Sequence, residues 1–246
     1  MQYRSPYSAS FTAGSLLFRE TSCMLPLFLS EQGEMLVREE VMNNNLLKIN
    51  SEASRKRVVR EINKRITSVN TDFWRLYAGK NVFEQKLLLF FVCLKTYKLM
   101  FDFHFNVTVK RWHSSCRQVE PYLYQMELHE IAAKDKYVDG WSDLTKNTLI
   151  GVYMRVLRET GLLEAKNCAL KPAEASTEFW RYFVVNNESW FLDACLLSAR
   201  QKVLFKMLNH KVHKGVSQSP QREIISFVTF VRSFCSLWLK KLFSVN

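Results

Sequence analysis

Two clusters of basic side chains have the residue types and spacing that suit one kind of chemistry, the binding of phosphate groups. The first lies in SEASRKRVVREINKRITSV, which begins at Ser51, and the second in WSDLTKNTLIGVYMRVLRETGLLE, which begins at Trp141. Lysines and arginines on one helix face can follow a phosphate backbone. The candidate DNA contacts are Lys56, Arg57, Arg60 and Lys64 in the first cluster, and Lys146, Asn147, Arg155 and Arg158 in the second.

Residues for catalysis or metal binding do not form a comparable set in the sequence. There is no phosphate-binding glycine loop, no GxSxG and no HExxH. His113 with Cys116, and His210 with His213, have the spacing of metal ligands, but neither pair has the second pair that a four-coordinate zinc site requires. We therefore expect no enzymatic activity, no metal and no cofactor.

The second cluster is predicted to lie on a helix with a defined start and end. Thr145 suits the N-cap, and Gly161 suits the C-terminal cap, where positive φ is common. Gly151 lies among the basic side chains, so this face resembles a helix that enters a DNA groove. An ordinary surface helix with a solvated basic side fits the same pattern. The face expected to pack on a core carries Leu149, Ile150, Tyr153, Val156 and Leu157.

The first cluster is predicted to lie on a helix that Ser51 caps, with Glu52 near its positive end. Its basic side chains face away from an apolar stripe, and a solvated helix surface is again the alternative. That stripe consists of Val58 or Val59, Ile62, Ile66 and Val69.

Other elements follow from local signals. The apolar run LLLFFVCL between Lys86 and Lys95 is too short to cross a bilayer and predicts a buried central helix. Pro121 starts one further helix and Ser176 another. Residues 165–172 suggest a small hairpin, where a wing would follow a recognition helix. Near the N-terminus, Ser10 or Thr12 is expected to cap a helix that Pro26 kinks or ends.

Composition sets the fold class. A chain of 246 residues with 48% hydrophobic residues can fill a core, and seven Gly and five Pro are few for a β-rich protein. We predict a mainly α, compact multi-helix bundle with a C-terminal helix-turn-helix or winged-helix-like module. The expected divisions are 1–134, 135–200 and a tail at 201–246. Six cysteines without a CxxC pair indicate reduced thiols and a cytoplasmic location.

The net charge of +12 favours an anionic partner, but it is unevenly distributed. Residues 200–246 contain nine Lys or Arg and one acid, so the tail exaggerates the basic character of the body. A mostly apolar helix is expected at 224–243. Packing against the body is favoured for it, while a position at a membrane interface or a non-native extension remains open.

Four stretches together resemble the BrxA family of bacteriophage exclusion (BREX) defence systems, whose members were once described as NusB-like inner-membrane proteins. They are YSASFTAGSLLFRE, NLLKINSEASRKRVVREINKRI, WSDLTKNTLIGVYMRVLRETGLLE and NNESWFLDACLLS, which occur in that order. The resemblance implies a small helical accessory protein with helix-turn-helix character, no enzymatic activity and other phage-defence proteins as partners. The tail after Lys202 departs from the family pattern.

The sequence thus predicts a non-catalytic component of a phage-defence system that binds double-stranded DNA with weak sequence selectivity. The alternative is a NusB-like helical scaffold that binds RNA or protein, and whose tail makes it peripheral to a membrane. Basic faces of helical bundles serve RNA as well as DNA.

Overall fold

The computed structural model describes residues 4–213 and shows a helical chain over that range. Its β-structure there consists of two isolated antiparallel bridges, Gln118 with Ala169 and Leu163 with Leu170. The predicted mainly α, multi-helix fold is therefore confirmed.

One compact unit spans Met1–Phe205, and a boundary follows Phe205. All packing described below lies within this unit. The three-part division at residues 134 and 200 stays a prediction, and the tail helix expected at 224–243 lies outside the described residues.

The first helices pack around one long apolar helix. Three of these five helices begin at a capping side chain, and at one of them the backbone N–H of Ser54 donates to the Ser51 side chain (3.4 Å), as predicted. After a 3₁₀ helix at Ser10–Ala13 come α1 (Phe18–Phe28), α2 (Gly33–Asn43), α3 (Glu52–Ile66), α4 (Thr71–Ala78) and α5 (Val82–Thr96).

The predicted cap of the first α-helix is wrong. Ser10 and Thr12 lie in the 3₁₀ helix. Helix α1 begins after Leu17, whose φ of 54° lies in the left-handed region. No side chain caps α1. Pro26 lies inside α1, which ends two residues later at Phe28.

The second half begins with a bend at Tyr97 and continues through short helices to the longest one. Pro121 occupies the first turn of α8, as predicted, and Ser176 accepts a hydrogen bond from the N–H of Phe179 (3.2 Å) to start α11. The elements are α6 (Lys98–Asp102), a π-helix (Phe103–Val109), α7 (Lys110–Trp112), α8 (Pro121–Ala132), α9 (Lys136–Asp139), α10 (Asp143–Glu159), α11 (Thr177–Val185), α12 (Trp190–Ala194) and α13 (Ala199–His213).

Helix α5 is the central axis of the core, as its composition predicts. Every residue from Leu87 to Leu94 is at most 2% exposed. Phe91 contacts the rings of Phe73, Phe183 and Phe191 at centroid distances of 5.1–5.5 Å. Burial of such aromatic area dominates the stability of a core. Among residues 4–213, no helix has both the length and the apolar composition needed to cross a bilayer.

A buried chain of hydrogen bonds joins the π-helix to α8, α10 and α12. His104 Nε2 lies 2.7 Å from the carbonyl oxygen of Ala194, so it donates, and His104 Nδ1 must accept from the Tyr153 hydroxyl (2.8 Å). Thr108 Oγ1 then donates to the Tyr153 oxygen (2.9 Å) and accepts from the Tyr124 hydroxyl (2.8 Å). Burial lowers the pKa of His104 to about 4, so the imidazole is neutral near pH 7. Helices α8 and α10 are therefore fixed to the same rigid element.

Candidate nucleic-acid interface

Helix α10 begins three residues earlier than the predicted cap would allow. The backbone N–H of Thr145 donates to the side chain of Ser142 (3.3 Å), so Ser142 is the N-cap and Thr145 lies in the first turn. The prediction of Thr145 as N-cap is wrong because Ser142 sits three residues before an N–H that needs a partner. The other end agrees with the sequence, since Gly161 follows the helix with φ of 73°.

The predicted core face of α10 is confirmed. Its five predicted residues are all at most 3% exposed, and Val152 and Met154 are also buried, which makes the packed face wider than the sequence suggested. The remaining surface is a narrow solvent-facing strip. This strip consists of Leu144, Asn147, Thr148, Gly151, Arg155 and Arg158.

The four predicted contact residues of α10 differ in what they already bind. Lys146 is half-buried and donates to the carbonyl oxygen of Asp139 (3.2 Å), and Asn147 Oδ1 accepts from the Gln125 side chain (3.4 Å). Arg155 and Arg158 are exposed and have no hydrogen-bond or salt-bridge partner in the described part of the chain. The two arginines are thus the cations of α10 that are available to an external anion.

Helix α10 lies in a frame made by α8, α9 and a short hairpin. Tyr124 of α8 contacts Tyr153 of α10 at a ring distance of 5.1 Å. After Gly161 the chain turns back, and the N–H of Glu164 donates to the carbonyl oxygen of Ala169 (2.9 Å). A small hairpin is therefore present, with a bridge between Leu163 and Leu170, but it begins at Leu162 and not within the predicted range 165–172.

A third segment completes this frame before α8 begins. The N–H of Leu170 donates to the carbonyl oxygen of Arg117 (2.8 Å), and the N–H of Val119 donates to that of Cys168 (3.0 Å). The segment that enters α8 and the hairpin that follows α10 are therefore hydrogen-bonded to each other. This pairing closes residues 117–171 into one folded segment.

The predicted cations of α3 are all exposed, but most have partners within the molecule. Lys56 pairs with Glu52 (2.6 Å), and this cation lowers the pKa of the carboxyl. Arg57 donates to Thr12 Oγ1 (2.7 Å). Lys64 donates to Ser10 Oγ (3.2 Å) and lies 4.6 Å from the centre of the Tyr97 ring. Within residues 4–213, Arg60 alone of the four has no hydrogen-bond or salt-bridge partner.

Two arginines of α3 that the sequence pattern assigned to no role are structural. Arg65 is 1% exposed and donates to the carbonyl oxygens of Leu16 (2.7 Å) and Ser15 (3.0 Å) and to the Tyr97 hydroxyl (3.0 Å). Arg55 donates to the carbonyl oxygen of Val41 (2.7 Å). Their position in the sequence distinguishes these two arginines from the exposed cations of α3. Arg55 lies one turn before Val58 and Arg65 one turn after Ile62, so both fall on the apolar side of the helix.

The N-terminal segment brings the C-terminal ends of α3 and α10 together. Glu159 of α10 accepts from Ser15 Oγ (2.5 Å) and from the N–H of Leu16 (3.2 Å). Arg65 of α3 binds the carbonyl oxygens of the same two residues. The C-terminal ends of α3 and α10 are therefore linked through Ser15 and Leu16, while Lys146 lies about 18 Å from Arg158 along α10 at 1.5 Å per residue.

Metal ligands do not gather anywhere in the described residues. No group of three or more His, Cys, Asp and Glu side chains within 4–213 could hold a metal ion. The five cysteines in that range carry free thiols. The side chains of His210 and His213 lie outside the described part of the structure.

Taken together, these features define an all-helical protein with exposed cations on a helix that is anchored to a rigid core. Comparison with known proteins identifies the family. The BrxA family profile matches residues 5–187, so the chain belongs to the BrxA family. The resemblance noted in the sequence is confirmed.

Individual relatives agree with this membership. The chain is 23% identical over 187 residues to a protein of Paramagnetospirillum magneticum described as "BREX protein BrxA", covering 76% of this chain and 94% of that one. It is 22% identical over 158 residues to a protein of Bacillus cereus with the same description, covering 64% and 79%. A crystal structure of an uncharacterized protein from Magnetospirillum magneticum superposes with a TM-score of 0.65 at 22% identity, covering 78% of this chain and 98% of that one. That last similarity supports the fold.

Proposed function

We propose that this protein is a non-catalytic component of a bacterial phage-defence (BREX) system and that it binds duplex DNA through α10 and α3. Family membership supports the part in BREX, because relatives are described as BREX proteins. The single observation that carries DNA binding is the exposed strip of α10, on which Arg155 and Arg158 have no partner among residues 4–213.

The order of elements around α10 supports a winged helix-turn-helix module. A paired segment at Gln118 precedes α8, the short α9 follows, and α10 ends in a hairpin whose Ala169 bridges back to Gln118. In such modules the last of the three helices enters the major groove and the hairpin lies beside it on the backbone. In this module α10 is the recognition helix and residues 162–171 form the wing.

The side chains divide by the contacts that each can make. Asn147, Arg155 and Arg158 lie on the exposed strip and are the candidates for base edges, since arginine pairs with guanine and asparagine with adenine. Among the other cations, Arg60 is the strongest candidate for a phosphate contact, because it has no competing partner among the described residues. The remaining phosphate candidates are Lys56, Arg57, Lys64 and Lys146.

The test is fluorescence anisotropy with a labelled 30-base-pair duplex. With about five phosphate contacts, raising salt from 50 to 200 mM should weaken binding several hundredfold. Arg155→Glu with Arg158→Glu should weaken binding at low salt roughly a hundredfold, because two contacts become repulsive. The charge-matched control is Lys110→Glu with Arg181→Glu, two exposed residues outside both basic helices.

Three results would overturn the proposal. They are an absence of duplex binding at 50 mM salt, an equal loss in the α10 variant and in its control, and preferential displacement of the duplex by single-stranded RNA of the same length. The last would establish the RNA-binding alternative instead. A cytoplasmic location and association with other proteins of the defence system are part of the proposal.

A further inference from the structure

Gly151 lies at the ninth of the 17 positions of α10 and is exposed. Glycine is the least favourable residue after proline in a helix interior, because it has the most backbone freedom to lose. A Cβ added to Gly151 would meet no atom within 4 Å. Nothing in the described fold therefore requires a glycine at this position.

Two other glycines of the chain have a reason within the structure. Gly161 has φ of 73°, a conformation that favours glycine. A Cβ on Gly33 would lie 2.8 Å from the carbonyl oxygen of Leu27. Gly151 differs from both, because it has an ordinary helical backbone and open space around it.

The surroundings of Gly151 are those of a surface that meets a partner. Leu144 lies seven residues before it on the same strip and is 79% exposed, the highest value for a large apolar side chain among the described residues. Arg155 lies one turn after it and has no partner in the described residues. On the other side of the helix, Val152 and Tyr153 are buried and hold this turn against the core.

We propose that Gly151 is the point at which α10 approaches the base-pair edges of duplex DNA most closely, and that it determines sequence selectivity. This inference rests on the proposed function. Without a side chain at its centre, α10 can lie deep enough in the major groove for Leu144 to contact a thymine methyl group and for Arg155 to pair with guanine. A Cβ at position 151 holds the helix away from the groove floor and shortens the reach of both side chains.

The experiment selects preferred sequences from 30-base-pair duplexes with a randomised central segment, using the full chain and Gly151→Ala. The wild type should enrich particular sequences. The enrichment factor of the variant should be at least about tenfold lower, which is the size of the affinity loss that one mismatched base pair causes. Binding to unselected duplex at 50 mM salt should weaken by a smaller factor than the enrichment does, because phosphate contacts supply most of that binding. The melting temperature of the variant should rise by roughly 2–4 °C, which excludes misfolding.

Gly79→Ala is the matched control, since Gly79 is exposed at the end of α4 and a Cβ there meets atoms at ordinary distance, the nearest 3.7 Å away. It should leave selection unchanged. Gly151→Leu should abolish enrichment altogether. Equal enrichment by wild type and Gly151→Ala, or binding by the wild type without any enrichment, overturns the inference. A wild type that binds no duplex overturns the proposed function first.

Discussion

Helices α3 and α10 have the same arrangement in sequence, an apolar stripe opposite a row of cations, yet they use their cations differently. On α3, Lys56, Arg57 and Lys64 each bind a group of the same molecule. On α10, Arg155 and Arg158 bind no described residue. Two exposed basic helix faces can therefore differ in how many cations remain available, and for Arg57 and Lys64 the partners that decide this are distant in sequence, whereas Lys56 pairs with Glu52 one turn away.

The N-terminal segment is the neighbour that makes this difference. Ser10 and Thr12 lie against the cations of α3, and Arg65 holds Ser15 and Leu16 by their carbonyl oxygens. The same segment touches α10 through Glu159, an acid, and uses neither Arg155 nor Arg158. Helix α3 thus combines a structural role with its charge, whereas α10 presents its charge outward.

The largest expected effect comes from removing the buried cation of α3. Arg65→Met should lower the free energy of unfolding by about 3–5 kcal/mol, because it leaves the carbonyl oxygens of Ser15 and Leu16 without this donor. It also leaves the buried Glu61, which accepts from the Tyr97 hydroxyl (2.6 Å), without its compensating charge. Urea denaturation followed by circular dichroism measures it. Arg60→Met on the exposed face is the control and should change stability by less than about 0.5 kcal/mol. Similar losses in both variants would show that α3 has no structural cation.

The anchoring of α10 should depend on pH through His104. Its folded pKa of about 4 lies below the ordinary value of 6.5, so between these values the unfolded chain binds a proton that the folded chain does not. Stability from this group is therefore complete above pH 6.5 and is lost as pH falls. The loss between pH 7 and 4.5 should be about 2–3 kcal/mol at 1.36 kcal/mol per pKa unit.

Urea midpoints across that pH range measure the effect, and His104→Asn serves as the reference that cannot titrate. Other acids contribute to the pH dependence of both proteins, so the quantity compared is the difference between their slopes. A slope in the variant as steep as in the wild type would mean that His104 does not hold the π-helix to Tyr153 in its neutral form.

Much of this architecture was predictable because it depends on local signals. The run LLLFFVCL, the caps at Ser51 and Ser176, and Gly161 are signals read within a few residues, and the structure agrees with each. One failure was local, since Ser142 and not Thr145 caps α10, and the other depends on packing. Ser10 and Thr12 entered a 3₁₀ helix, because the segment that contains them packs against α3.

The candidate site shows the same limit. Periodicity identified the exposed cations of both helices, and the structure agrees on their exposure, with Lys146 half-buried. Periodicity could not show that Arg60 lacks a partner while Lys64 has one, because the partner of Lys64 lies more than fifty residues away in sequence. The buried Arg65 was assigned no role, since an arginine among basic neighbours resembles a surface residue until the carbonyl oxygens around it are known.

The smallest expected effect concerns how each basic helix begins. Ser51→Ala on α3 and Ser142→Ala on α10 should each lower stability by about 1 kcal/mol, because each leaves an N–H of the first turn without its side-chain acceptor. Thr145→Ala should change stability by only about a few tenths of a kcal/mol, since Thr145 is not the cap and the loss of its hydroxyl contact with Ser142 Oγ (3.0 Å) is offset by the higher helix propensity of alanine. Thermal denaturation of the three variants separates these values. A larger loss at Thr145 than at Ser142 would move the start of α10 by one turn, and Leu144 would then precede the helix instead of beginning its exposed strip.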